Sequence, residues 1–220
     1  SIEPGSLPAT EPERLRDQAE LMGNLVIDAV KASRPFEMNP KRSAEVNVLM
    51  TRMAAEMGLG DELIRPSIGI KPKIMVILDN ANGNDARTGY FMENGYDDFK
   101  AKLLVSGDLR MGDLYVTGVC KKVKDKEKDY TKDEIGQFID FMREEINLVR
   151  PTYVLTCGSR ATSLFNNKSK PSDLVGRKEY LPDLDVTVFY GFNPNILYFR
   201  PEEGEKLEAI LAEVAETINK

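Results

Sequence analysis

The chain has 220 residues, 41% of them hydrophobic, and a formal net charge of −6. That length is enough for one good-sized hydrophobic core and leaves room for a small helical appendage. No apolar run reaches the length of a membrane span, and the N-terminus lacks the charged-then-apolar pattern of a signal peptide. The sequence therefore predicts a cytoplasmic protein with no membrane partner.

Histidine is absent from the sequence, and its two cysteines are Cys120 and Cys157. Without histidine there can be no Ser-His or Cys-His nucleophile and no histidine-ligated metal site. Two cysteines complete neither a thiolate zinc site nor an iron–sulfur cluster, so we expect buried, reduced thiols. Neither the G-x-x-x-x-G-K-[ST] nor the G-x-G-x-x-G nucleotide-binding motif is present. We predict no metal and no cofactor.

The N-terminal part of the chain predicts helices rather than strands. Residues 1–9 have the composition of a tail or linker. Thr10 opens a capping-box pattern, which predicts a helix that ends near Ala32. The apolar residues of this helix recur at helical spacing: Leu15, Ala19, Met22, Val26 and Val30. A second amphipathic helix is predicted to start at Ser43 and to be stopped by Gly58 and Gly60, so we assign residues 10–69 to an N-terminal helical extension.

From residue 70 to 220, predicted strands alternate with predicted helices. The buried strands are expected near residues 73–78, 114–120, 153–157 and 186–190. This alternation predicts one α/β domain, a three-layer sandwich in which helices cover both faces of a four-stranded, mainly parallel sheet. In such sheets ligands bind at the carboxyl ends of the strands. The candidate site loops are therefore those that follow Leu78, Cys120, Cys157 and Tyr190.

Sequence pieces in and around these loops resemble the motifs of one protein family. The family strand D-V-Y-I-T-N-V-V-K is similar to Gly112-Asp-Leu-Tyr-Val-Thr-Gly-Val-Cys-Lys121, and its element E-I-x-L-I-R-P-K-V-I-L-A-L-G is similar to residues 144–158. A family motif that begins R-T-G matches Arg87-Thr-Gly89. The last motif, H-P-S-x-L or N-P-S-G-L, corresponds to Asn193-Pro-Asn-Ile-Leu197. The order of these four pieces resembles the uracil-DNA glycosylase superfamily.

This resemblance implies a uracil-DNA glycosylase-like fold and a set of catalytic positions. Such enzymes flip a damaged base out of the DNA helix and cut its glycosidic bond. Asn80 corresponds to a residue that positions the attacking water, and Asp79 beside it acts as a base if its side chain turns inward. Asn193 corresponds to the last-motif residue that stabilises the negative charge on the departing base. Asn80 is equally typical of a strand-to-helix turn.

The base-binding positions implied by the resemblance are Phe91, Met92 and Gly118, and here the sequence departs from the family. The stacking aromatic corresponds to Met92, with Phe91 one place away. Gly118 replaces the asparagine that reads the uracil edge, and losing a bidentate base contact removes about 1–3 kcal/mol of discrimination. We expect Gly118→Asn to restore that contact. An asparagine at the water position takes no proton near neutral pH, so any excision should be slow.

The resemblance also implies residues that contact DNA. In the family, an apolar side chain after the last motif fills the hole that the flipped base leaves, and Ile196 and Leu197 stand there; a lid on the core is the alternative. Arg200 is either a phosphate contact or a salt-bridge partner. Lys121 and Lys122 begin a loop rich in both lysine and acidic residues, so a basic patch and a solvated loop both fit.

Two functions follow from these observations. The first is a weakened or inactive glycosylase-like domain that binds single- or double-stranded DNA or a replication or repair protein. Domains of this kind are attached to some bacteriophage DNA polymerases, which would place the chain in the host cytoplasm beside a polymerase. The alternative is an active DNA glycosylase of unusual specificity that excises uracil or a damaged base. Both require Asn80 and Asn193 to lie in one cleft, within about 20 Å of each other.

Overall fold

The computed structural model describes residues 11–20 and 34–220. Two compact units divide the chain, Ser1–Pro35 and Phe36–Lys220. In the first unit, residues 11–20 form an exposed helix, α1, within the range predicted to be helical. The predicted tail over residues 1–9 and the predicted continuation of α1 to Ala32 lie outside the described residues. So do Thr10, Met22, Val26 and Val30.

The second unit begins with helix α2 (Pro40–Met57), whose ends are defined by local hydrogen bonds. The Asn39 side chain accepts from the Arg42 backbone N–H at 2.8 Å, and Gly58 ends the helix in the left-handed conformation with φ 63°. The apolar face predicted for this helix is buried at Val46, Leu49, Met50 and Met53, and its last member, Met57, is half-buried. It shares one hydrophobic core with residues of the sheet and of helix α5 (Lys132–Val149). The predicted domain boundary at residue 70 stays a prediction.

A mixed sheet of six strands forms the centre of this unit, in the order β1-β3-β2-β4-β6-β5. The predicted strands are β2 (Ile74–Asn80), β3 (Leu114–Cys120), β4 (Tyr153–Cys157) and β6 (Val186–Gly191). These four run parallel to one another, whereas the edge strands β1 (Ser67–Ile68) and β5 (Lys178–Leu181) are antiparallel to their neighbours. The α/β class is confirmed, and the predicted count of four strands is wrong. The edge strands are short and half-exposed, so neither has a buried apolar run.

Helices cover both faces of the sheet. Successive side chains of a strand point to opposite faces, so the apolar central strands bury residues against helices on each side. One core joins alternate strand residues to α2, α5, α6 (Ser159–Ser163) and α7 (Pro171–Leu174). The other core joins the remaining strand residues to α4 (Asp97–Val105) and α8 (Gly204–Ile218). A short helix, α3 (Gly83–Ala86), follows β2.

No helix within residues 11–20 and 34–220 combines the length and the apolar character that crossing a membrane needs.

Candidate functional site

The strand register brings the carboxyl ends of β2 and β6 to the same end of the sheet. Leu78 of β2 is level with Cys157 of β4, which is level with Gly191 of β6. Asn80 and Asn193 each lie two residues beyond that level, with β4 between their strands. Neighbouring strands are about 4.8 Å apart, so level residues of β2 and β6 are about 10 Å apart across the sheet. That the Asn80 and Asn193 side chains share one cleft stays a prediction.

The side chains of both asparagines make local turn contacts. The Asn80 amide nitrogen donates to the Ala81 carbonyl at 2.9 Å. The Asn193 side-chain oxygen accepts from the Asn195 backbone N–H at 2.9 Å and caps the 3-10 turn Pro194–Tyr198. These hydrogen bonds are those of turn residues. A role for either side chain in catalysis stays a proposal.

Asp79 turns towards the start of α6 and serves as its cap. Its carboxylate accepts from the Ala161 backbone N–H at 2.8 Å. Gly158 makes room for it, since a β-carbon at that position would overlap the carboxylate. Burial raises the pKa of Asp79 above its ordinary value of 3.8, although the α6 backbone N–H groups and the charge of Arg160 act in the opposite direction. The side chain of Asp79 therefore caps the start of α6 in the described conformation.

The raised pKa of Asp79 predicts a specific pH dependence of stability. Folding favours the protonated carboxyl, so this contribution is fully present below pH 3.8 and is lost as pH rises through the folded-state pKa. Asp79→Asn is uncharged at every pH and lacks that dependence. We expect the wild type to lose stability relative to the variant as pH rises. Urea unfolding at a series of pH values between about 3.5 and 7.5 measures the difference.

The control for this experiment is Asp140→Asn, because Asp140 is exposed on α5. Its unfolding free energy should stay parallel to that of the wild type over the same pH range. A constant difference between the wild type and Asp79→Asn would show that folding does not raise the pKa of Asp79.

Phe91 occupies the space that a side chain at position 118 would need. Phe91 and Met92 are both fully buried. A β-carbon added to Gly118 would lie 2.5 Å from Cε1 of the Phe91 ring, which is closer than real contacts allow. The expectation that Gly118→Asn restores an edge contact is therefore wrong for this structure. An asparagine side chain has no room there while the ring stays in place.

Asp85 holds the loop that carries Phe91, and the sequence reasoning missed it. This buried carboxylate accepts from the Met92 N–H at 2.8 Å, from the Asn82 N–H at 2.9 Å and from the Tyr96 hydroxyl at 3.0 Å. Burial raises the pKa of Asp85, and burial together with the Asp85 carboxylate raises that of Tyr96 well above its usual value. The signal in the sequence was the capping-box spacing of Asn82 and Asp85.

The two adjacent lysines have different environments. The Lys121 side chain is 1% exposed, and its amine lies 2.7 Å from a Glu145 carboxylate oxygen and donates to the Gly118 carbonyl at 2.6 Å. It is therefore inside the core and out of reach of a phosphate. The Lys122 side chain is 26% exposed and pairs with Glu134 at 2.8 Å. The hydrogen bond between the two side chains raises the pKa of Lys122 and lowers the pKa of Glu134.

A polar cleft opens between α3 and the turn after β6. One cavity of about 450 Å³ is lined by Asn82, Gly83, Asn84, Arg87, Tyr96, Asn195 and Tyr198. An adjoining cavity of about 240 Å³ shares three of these residues, namely Tyr96, Asn195 and Tyr198. We call the two cavities together the edge cleft. It lies beyond the carboxyl ends of the parallel strands, which is where ligands bind in α/β proteins.

The turn beside the edge cleft exposes aromatic side chains. Ile196 and Leu197 are half-buried, and Leu197 packs against the core that contains α4 and α8. By contrast, Tyr198 is 76% exposed and Phe199 is 84% exposed. Arg200 follows them and is exposed as well. The aromatic pair is thus more accessible to a ligand than the two aliphatic residues that the sequence singled out.

Comparison with known proteins gives one near-identical and one distant relative. The chain is 96% identical over all 220 residues to a DNA polymerase III subunit alpha of Yersinia pestis. It spans 19% of that protein, about a fifth of its length. It is also 23% identical over 163 residues to a type-4 uracil-DNA glycosylase of Archaeoglobus fulgidus, which covers 70% of the chain and 82% of the enzyme.

No protein-family model matches the chain. The chain is thus nearly identical to part of a polymerase subunit and distantly similar to a uracil-DNA glycosylase. The second similarity agrees with the resemblance seen in the sequence. Neither relative bears on the predicted bacteriophage setting.

Proposed function

We propose that the chain is a uracil-DNA glycosylase-like domain with weak or no excision activity, which binds DNA as part of a larger DNA polymerase. The observation that carries this proposal is the Phe91 ring packed against Gly118, where a glycosylase would need room for a base. The two relatives support the replication setting and the glycosylase-like origin.

Loss of excision follows from what a flipped base needs. Flipping costs a few kcal/mol, which the enzyme recovers through stacking and edge contacts in its pocket. Phe91 and Met92 have no exposed surface on which a base could stack. The Asn80 amide nitrogen donates to the Ala81 carbonyl, and an asparagine cannot act as a base near neutral pH. Asp79, the nearby carboxylate, caps α6 instead.

DNA binding is proposed for the edge cleft and the exposed turn beside it. Tyr198 and Phe199 offer two aromatic faces to unpaired bases, and each stacked base is worth about 1–3 kcal/mol. Arg87 lines the cleft and is exposed, and Arg200 adjoins the aromatic pair. These two cations can contact the phosphates that flank the stacked bases. Single-stranded DNA fits this arrangement best, since its bases are free to stack.

The test of this proposal is DNA binding by the wild type and by Tyr198→Ala/Phe199→Ala. Fluorescence anisotropy with labelled single-stranded oligonucleotides should show the same affinity with and without uracil. The double variant should bind about tenfold to a hundredfold more weakly, because two stacking faces are lost. Arg200→Gln should lower the slope of log K against log salt by about one. Leu104→Ala/Val105→Ala, which removes two other exposed apolar side chains, should bind as the wild type does.

An excision assay on single-stranded and mismatched uracil DNA completes this test. We expect weak or undetectable release of uracil. Robust excision by the unmodified protein would contradict the proposal and support the alternative, an active glycosylase that uses Asn80 and Asn193. Unchanged DNA affinity in Tyr198→Ala/Phe199→Ala would contradict the assigned binding surface.

A further inference from the structure

A second groove lies between α5 and the α6–α7 segment and shares no residue with the edge cleft. It encloses about 410 Å³ and is lined by Ile135, Ile139, Arg143, Ser159, Arg160, Ser163, Leu164 and Pro171. We call it the α5–α6 groove. The three lining residues of α5 are spaced four apart, so they lie in one row on the helix surface. On α6, Ser159 and Ser163 form a similar row of exposed hydroxyls.

Two arginines in this groove keep unused hydrogen-bonding capacity. Arg143 is exposed and donates from one nitrogen to the Leu164 carbonyl at 3.0 Å. Arg160 donates to the Cys120 sulfur at 3.5 Å, and its guanidinium lies 5.7 Å from the centre of the Tyr130 ring. Within residues 11–20 and 34–220, no ion pair within 4 Å joins either arginine to a carboxylate. The charge of Arg160 also acts on the Asp79 carboxyl. A guanidinium has five donors, so each arginine still has donors for an anion.

The groove also has an apolar floor. Ile135 and Ile139 are half-buried, and Leu164 is 7% exposed at its base. The chain as a whole carries a net charge of −6, whereas the residues that line this groove include two cations and no acidic side chain. The combination matches a ligand that carries both carboxylates and apolar side chains.

We propose that the α5–α6 groove binds a short acidic peptide segment of a partner protein, with apolar residues between its acidic ones. Carboxylates of the segment pair with Arg143 and Arg160, for which the planar guanidinium is suited. An apolar side chain packs between Ile139 and Leu164. The Ser159 and Ser163 hydroxyls bind the peptide backbone. A nucleic-acid backbone would leave the apolar floor unused, so the peptide is the better match. This inference does not depend on DNA binding at the edge cleft.

The experiment is fluorescence anisotropy with a labelled hexapeptide, Asp-Leu-Asp-Asp-Leu-Asp, titrated with the full chain up to about 200 µM. We expect saturable binding that weakens as salt rises. Arg143→Ala and Arg160→Ala should each weaken binding about three- to tenfold, and Ile139→Ser should weaken it similarly. Arg177→Ala removes an exposed arginine elsewhere and should leave the affinity unchanged.

Three further measurements make the outcome decisive. A peptide in which serine replaces leucine should bind at least about threefold more weakly. Arg160→Lys, which keeps the charge but loses the planar fork, should fall between the wild type and Arg160→Ala. Thermal unfolding of each variant shows that weaker binding does not come from loss of the fold.

Four results would overturn the proposal: no saturation with the acidic peptide, equal binding of the serine peptide, an unaltered affinity in Arg143→Ala, and competition by an oligo-dT strand whose own binding Arg143→Ala weakens. The last result would make the groove a nucleic-acid site. Tyr198→Ala/Phe199→Ala should bind the peptide as the wild type does. Failure of the peptide proposal and failure of the DNA proposal are therefore distinguishable.

Discussion

Gly118→Asn is expected to destabilise the protein by about 1–3 kcal/mol or more, rather than to restore a base contact. The Phe91 ring lies 2.5 Å from the place of the new β-carbon and is itself fully buried, so it has no open space into which to move. Gly118→Ala should show most of this cost, because the β-carbon alone causes the overlap. Urea unfolding at one pH measures the loss as a lower midpoint.

Two further variants show whether the Phe91 ring is the cause. In a Phe91→Ala background, Gly118→Asn should cost less than in the wild type, which a double-mutant cycle measures as a coupling between the two positions. Gly136→Ala is the matched control, since a β-carbon there meets nothing within 4 Å and alanine is the better helix former. Wild-type stability of Gly118→Asn with Phe91 in place would disprove the steric explanation. A side chain that contacts the edge of uracil can be restored at position 118 only if the Phe91 ring is removed as well.

Lys121→Met is expected to cost about 3–5 kcal/mol of unfolding free energy. The variant leaves the Glu145 carboxylate in the core with the Tyr115 hydroxyl, which donates to it at 2.8 Å, and without a cation. Lys122→Met is the matched control one residue away. Its ion pair with Glu134 is partly exposed to solvent, so its loss should cost about 1 kcal/mol or less. Urea unfolding of both variants under the same conditions gives the comparison.

The partner of the buried lysine provides a second check. Lys121→Met/Glu145→Gln removes both charges and should recover part of the stability that Lys121→Met loses. If Lys121→Met were no more costly than Lys122→Met, the ion pair within the core would not stabilise the fold.

Local sequence patterns determined the main elements of this fold. The apolar runs of β2, β3, β4 and β6 predict buried strands, and the structure places them together as the parallel centre of the sheet. Thr131 and Glu134 have the capping-box spacing that predicts the start of α5, and each side chain accepts from the other residue's backbone N–H. Such signals act between residues close in the chain, so they can be read without knowing the tertiary structure.

Local sequence patterns did not predict the edge strands β1 and β5. β1 has two residues, and β5 begins with Lys178 and Glu179 and is half-exposed. Neither has the apolar run of a buried strand. Their pairing depends on a neighbouring strand that is already in place, which is information about tertiary contacts.

The chemistry of the site was decided by contacts between segments distant in sequence. Lys121 and Lys122 look alike in the sequence, and only the tertiary structure shows that Lys121 is the buried one, paired with Glu145 on α5. The Phe91 ring packs against Gly118 although the two residues are 27 positions apart. The Asp79 side chain accepts a hydrogen bond at the start of α6, a helix that begins after 79 intervening residues. The alternation of predicted strands and helices indicated an α/β domain, and the family-like motifs implied a glycosylase-like site at the carboxyl ends of its strands. Whether that site holds an open base pocket depends on which side chains fill it, and packing between loops decides this.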